Sequence, residues 1–153
     1  QTYKDMLAIG SGKDRVELHY FGKAHTGGDT VVYFPAPKIA AMGDMWAWKD
    51  APLIDLNNDA SGLQWPATLK KAIDTLKDAD TIIPGHTVVS KPADLQEFQR
   101  YMADLVAETQ AAANSGKTAA DALAQSKVTA KYSGYKSERL KAAIEAIYKE
   151  MGK

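Results

Sequence analysis

The sequence predicts an α/β fold: a mostly antiparallel or mixed sheet covered by helices and followed by a helical tail. Short apolar runs bounded by glycine or proline recur through the first half, at Met6–Ile9, Arg15–Phe21, Thr30–Phe34, Ile39–Met45 and Asp80–Ile83. Two segments with apolar residues at three-and-four spacing lie among and after them, the pattern of helices that pack one stripe on a sheet. From Lys117 onward only helical signals remain. A chain of 153 residues, 45% hydrophobic and 25% charged, can bury one sizeable core. One domain is expected, with residues 1–116 as its body and 117–153 as a helical tail of the same domain.

Nineteen basic residues balance nineteen acidic ones, so no net field draws the chain to nucleic acid or to an anionic membrane. With no cysteine, disulfides, thiolate metal ligands and a cysteine nucleophile are excluded together. No apolar run reaches the roughly 18 residues of a spanning helix. No signal peptide is visible, but the chain begins at Gln1, so a leader or a further half could precede it and the compartment stays open.

Gly10-Ser-Gly-Lys-Asp14 separates the first two runs and reads as a hairpin turn. In the second run Val16, Leu18 and Tyr20 alternate with Glu17, His19 and Phe21. The first set is expected to face the core, leaving His19 as a half-exposed strand residue. Thr30–Phe34 lacks alternation, as a strand covered on both faces does. Pro35-Ala-Pro37 breaks it, and Ile39–Met45 resumes as the next strand.

A polar loop, Asp55–Gly62, leads to a helix over Leu63–Lys77, with Leu69, Ala72, Ile73 and Leu76 as its stripe and Pro66 in its first turns. After the strand at Asp80–Ile83, Pro92 starts a long helix where its missing donor is harmless. Leu95, Phe98, Met102, Leu105 and Val106 form its stripe, and Asn114-Ser-Gly116 ends it. Thr118-Ala-Ala-Asp121 reads as a capping box, Tyr132-Ser-Gly-Tyr135 as a turn, and Ser137 as the cap of a last helix with Leu140, Ile144, Ile147 and Met151 inward.

Chemistry is expected where these strands end. His25-Thr26-Gly27-Gly28-Asp29 precedes one strand, Met42-Gly43-Asp44 ends the next, and Pro84-Gly85-His86 follows a third. Rigid strands that deliver side chains into converging loops are the usual carriers of a site. Two imidazoles and a carboxylate are donors that zinc accepts. Trp46 and Trp48, directly after Asp44, are read either as caps of the core or as walls of an apolar pocket.

These three motifs, in this order with these strands between them, resemble the C-terminal half of the metallo-β-lactamase fold over roughly Leu7 to Val106. The resemblance implies half of an αββα sandwich. It makes His25 a ligand of one zinc ion, His86 a ligand of the other, and Asp44 the shared, catalytic carboxylate between them. Asp29 and Thr26 then support the ligand-bearing loop. The family also carries an upstream His-x-His-x-Asp-His run, which this sequence lacks. The implied function is the C-terminal half of a zinc-dependent hydrolase that activates water against an ester-like or lactam-like bond in a small-molecule substrate. Two zinc ions belong to the complete site, and few or none to this chain alone, which is expected to be inactive without the N-terminal half. A sheet face including Val16, Leu18, Val31, Tyr33, Ile39 and Met42 should pack on that half or on a second copy of the chain. The alternative is a metal-free structural or ligand-binding domain that keeps the fold without catalysis.

Overall fold

A computed structural model describes residues 2–153. Five strands, β1 (Met6–Ile9), β2 (Val16–His19), β3 (Val31–Phe34), β4 (Ile39–Gly43) and β5 (Thr81–Pro84), form one sheet in the order of the sequence. The first three pairings are antiparallel and β4 with β5 is parallel, so the sheet is mixed. The parallel pair follows from its connection: α1 (Trp65–Thr75) lies between the two strands, and a parallel neighbour needs such a crossover. Thereafter come α2 (Pro92–Asn114), α3 (Ala119–Gln125), α4 (Val128–Lys131) and α5 (Leu140–Glu150).

Local signals account for most boundaries. Pro66 sits in the first turn of α1 and Pro92 opens α2. The Thr118 hydroxyl and the Asp121 carboxylate cap α3 reciprocally. Ser137, expected to cap the last helix, does not: α5 begins after Arg139, with no side-chain cap, and Ser137 offers only its carbonyl to the Leu140 N–H. The short helix α4 was not legible, because four residues show no period.

The strand register sorts every sheet residue onto one of two faces. Glu17 pairs with Tyr33, and Tyr33 with Ala40, while His19 pairs with Val31. Val31, Tyr33, Ala40, Met42 and Ile82 are buried in one core with Leu69 and Ala72 of α1, Leu95, Phe98, Met102 and Leu105 of α2, and Ile144 and Ile147 of α5. The alternation expected of β2 is therefore inverted. His19 and Phe21 are the buried members, their rings parallel at 5.3 Å, and His19 Nε2 lies 2.9 Å from Glu17 Oε2. A stacked imidazole with a carboxylate at its polar end passes for core, which period-two counting of hydrophobics does not register.

Val16 and Leu18 lie on the opposite face with Leu7, Ile9, Val32, Phe34, Ile39, Ala41 and Ile83. Thr81 shares this face opposite Ile39; the other nine are apolar, none belongs to the buried core, and Ile9 and Ile83 are 53% and 38% exposed. The open face foreseen from the sequence thus exists, but Val31, Tyr33 and Met42 are not part of it. They are buried under the helices.

Candidate metal centre

The topology places three loops at one end of the sheet. Strand β2 ends where the antiparallel β3 begins, and β4, antiparallel to β3 and parallel to β5, ends there too. His25 lies between β2 and β3, Asp44 directly after β4, and His86 two residues after β5.

The loops are laced together through the backbone. The N–H groups of Gly85 and His86 donate to the carbonyls of Trp46 and Ala47, at 3.0 and 2.9 Å, which pins the His86 turn against the segment after Asp44. Gly43 turns the chain out of β4 with φ of 53°, a region that glycine enters without penalty. At Gly85 a β-carbon would stand 2.6 Å from Asp44 Oδ1 and 2.8 Å from the Gly43 carbonyl oxygen. The Pro-Gly-His sequence is thus explained by close approach: only glycine lets this turn sit on the aspartate.

Asp44 stands between the two histidines. His86 Nε2 is 2.9 Å from its Oδ1, and His25 Nε2 is 3.7 Å from its Oδ2. His25 Nδ1 lies 2.7 Å from the Leu53 carbonyl oxygen. A carbonyl can only accept, so Nδ1 carries the proton, and in the neutral ring Nε2 presents its lone pair toward Asp44. This tautomer suits a metal ligand. The loop around His25 is held by its own residues and by a neighbour. Asp29 accepts from the Thr26 N–H at 3.0 Å and from the Thr26 hydroxyl at 2.9 Å, closing the turn without touching either histidine. The Asp55 N–H donates to the His25 carbonyl, and the Gly27 N–H to the Asn58 carbonyl.

Beside this trio lies a cavity of about 150 Å³, lined by Ala47, Trp48, Asp50, Pro52, Leu53 and Phe98 together with His25, Asp44 and His86. The two tryptophans divide the roles considered for them. Trp46 is fully buried, stacked on Phe98 at 5.9 Å, and belongs to the core. Trp48 lines the cavity, with its ring 5.3 Å from that of His86. Leu53, Asp50 and Phe98 were not singled out from the sequence. Leu53 acts through its backbone, for which no side-chain pattern exists, and Phe98 was legible only as a member of the α2 stripe.

Among the described residues, no group of three or more His, Cys, Asp or Glu side chains that could hold a metal ion closes around one point. The arrangement is two pairs sharing one acid.

No family model matches the sequence. Solved structures do. The DIM-1 metallo-β-lactamase aligns with a TM-score of 0.56 at 24% identity over 63% of this chain and 44% of its own. A metallo-β-lactamase from Pontibacter korlensis aligns at 0.57 and 21% identity, over 66% and 47%. TMB-1 aligns at 0.55 and 23%, over 64% and 44%. The chain therefore has a metallo-β-lactamase-type fold, similar to half of that fold, and it spans less than half the length of these proteins.

Proposed function

We propose that this chain is the C-terminal half of a zinc-dependent metallo-β-lactamase-fold hydrolase and supplies part of its metal site. One observation carries the reading. An aspartate stands between the Nε2 atoms of two histidines, one of which has its tautomer set by a backbone carbonyl. His25 with Asp44 would hold one ion, and His86 with Asp44 the other. Zinc so held supplies Lewis acidity and lowers the pKa of a coordinated water. This chain's residues do the rest: Leu53 orients His25, the Thr26–Asp29 turn fixes its loop, and Trp48 with Leu53 and Phe98 excludes water from one side and offers a small-molecule substrate an apolar wall.

Two protein donors per ion fall short of the three that a catalytic zinc usually has. The remaining donors are assigned to the complementary half of the sandwich. The open apolar sheet face is the surface for it. Covering about 800 Å² there, one side of a standard interface, would contribute on the order of 20 kcal/mol gross at roughly 25 cal/mol per Å². A metal-free domain is the second reading, and it too has an observation in its favour: His86 Nε2 lies 2.9 Å from Asp44 Oδ1, a distance at which the two side chains pair directly.

Calorimetric zinc titration with parallel assays on a generic lactam and a generic ester separates the readings. Weak zinc binding without turnover by this chain, and turnover once the complementary half is supplied, are expected. No zinc binding under either condition would favour the metal-free domain, and tight binding of two ions with turnover by this chain alone would overturn the half-site.

A further inference from the structure

The helix α5, far along the chain from all three motifs, touches the candidate site's supporting loops at both of its ends. Arg139, immediately before it, sets its guanidinium carbon 3.9 Å from the centre of the Trp48 ring. The same guanidinium lies 3.3 Å from Oδ2 of Asp50, a carboxylate only 1% exposed whose Oδ1 accepts the Ala51 N–H at 2.7 Å. The Trp48 indole N–H donates to the Ala51 carbonyl at 3.4 Å, and its ring stacks on His86. At the far end, the Glu150 carboxylate accepts from the Ser61 hydroxyl and from the Leu63 N–H at 3.2 Å. The Ser61 N–H in turn donates to the carbonyl of Ala24, the neighbour of His25.

We propose that α5 braces the candidate metal site, and that Arg139 is a positioning residue that fixes His86 through Trp48. The His86 side chain is 56% exposed, with Asp44 as its polar partner and that indole as its aromatic one. An exposed imidazole keeps one orientation only if its stacking partner does. A planar guanidinium laid over an indole is a contact that lysine's compact ammonium reproduces poorly, so the residue type matters as well as the charge. Asp50 fixes the guanidinium from the buried side, and the indole is then held by Ala51 at its edge and by Arg139 on its ring. The proposal rests on His86 being a metal ligand.

The test is NMR of the ring resonances of the three histidines in the metal-free chain, followed by zinc titration. Arg139→Lys is expected to move the His86 signals toward those of an unstacked imidazole and to leave His19, stacked on Phe21, unchanged. Zinc affinity should fall about tenfold, the low end for lost outer support of a ligand. Asp50→Asn, which weakens the hold on the guanidinium from its buried side, should move the His86 signals in the same direction by a smaller amount. Because Arg139 acts through Trp48, Arg139→Lys combined with Trp48→Leu should bind zinc no more weakly than Trp48→Leu alone. Unchanged His86 signals in Arg139→Lys, or additive losses in the double variant, would overturn the brace. A zinc titration that moves neither His25 nor His86 in the unmodified chain would instead overturn the metal reading, while the metal-free spectra still decide whether Arg139 positions His86.

Discussion

Replacing Gly85 with alanine should damage the site more than its single added methyl group implies. The new β-carbon would lie 2.6 Å from Asp44 Oδ1, 2.8 Å from the Gly43 oxygen and 3.0 Å from the Gly43 carbonyl carbon. Asp44 could rotate away, but Gly43 is backbone at the end of β4 and faces Pro84 of β5, so it yields only if the two strand ends part. Reaching ordinary contact calls for a separation of about 0.6–0.8 Å, and overpacking of this kind costs about 1–3 kcal/mol. For a chain of this size that lowers the melting temperature by roughly 2–12 °C. The same movement carries His86 off Asp44, so zinc affinity should drop at least about tenfold. Gly28→Ala is the control, since a β-carbon there meets nothing within 4 Å and the backbone is not left-handed. Thermal unfolding and zinc titration of both variants read the two effects. Equal melting temperatures and equal zinc affinities for Gly85→Ala and the unmodified chain would refute the close-approach reasoning.

Asp44→Asn keeps the shape of the site but removes the shared charge, so zinc binding to both histidines should weaken together, read as loss of zinc-induced shifts at His25 and His86 alike. Asp29→Ala should destabilise the His25 loop by about 1 kcal/mol, the usual worth of a cap-like carboxylate, visible as faster amide exchange at Thr26 and Gly28. The Asp94 carboxyl is held below its usual 3.8 by the Lys91 N–H and by Lys49, so its contribution is fully present above the ordinary carboxylate range and is lost as pH falls through the depressed value. Asp94→Asn should therefore lower the melting temperature at pH 7 and have little effect near pH 2. Val32→Lys, on the open sheet face, should leave the fold intact but weaken association with a complementary half, measured by light scattering.

The strands, the two long helices and the ends that carry chemistry were legible because each rests on local signals: apolar runs, prolines at helix starts, glycines at turns. The convergence of His25, Asp44 and His86 follows from sheet direction, which alternating apolar runs and one helical crossover already imply. What stayed hidden depends on contacts between distant segments. His19 turned inward because the register of β2 sets it opposite the buried Val31, and the core took Trp46 while the cavity kept Trp48. Ser137 does not cap because α5 begins only at Leu140, after Arg139. Leu53 contributes through a carbonyl oxygen, and side-chain identity says nothing about that.

Anomalous diffraction from crystals soaked in zinc shows whether Asp44 and the two histidines form the chain's share of a dinuclear zinc site. The predicted result is density about 2.0–2.2 Å from an Asp44 oxygen and from Nε2 of His25 or His86, with water completing the coordination. Zinc bound only elsewhere, such as at His19, or absent at saturating concentration with the His86–Asp44 pair intact, would contradict it.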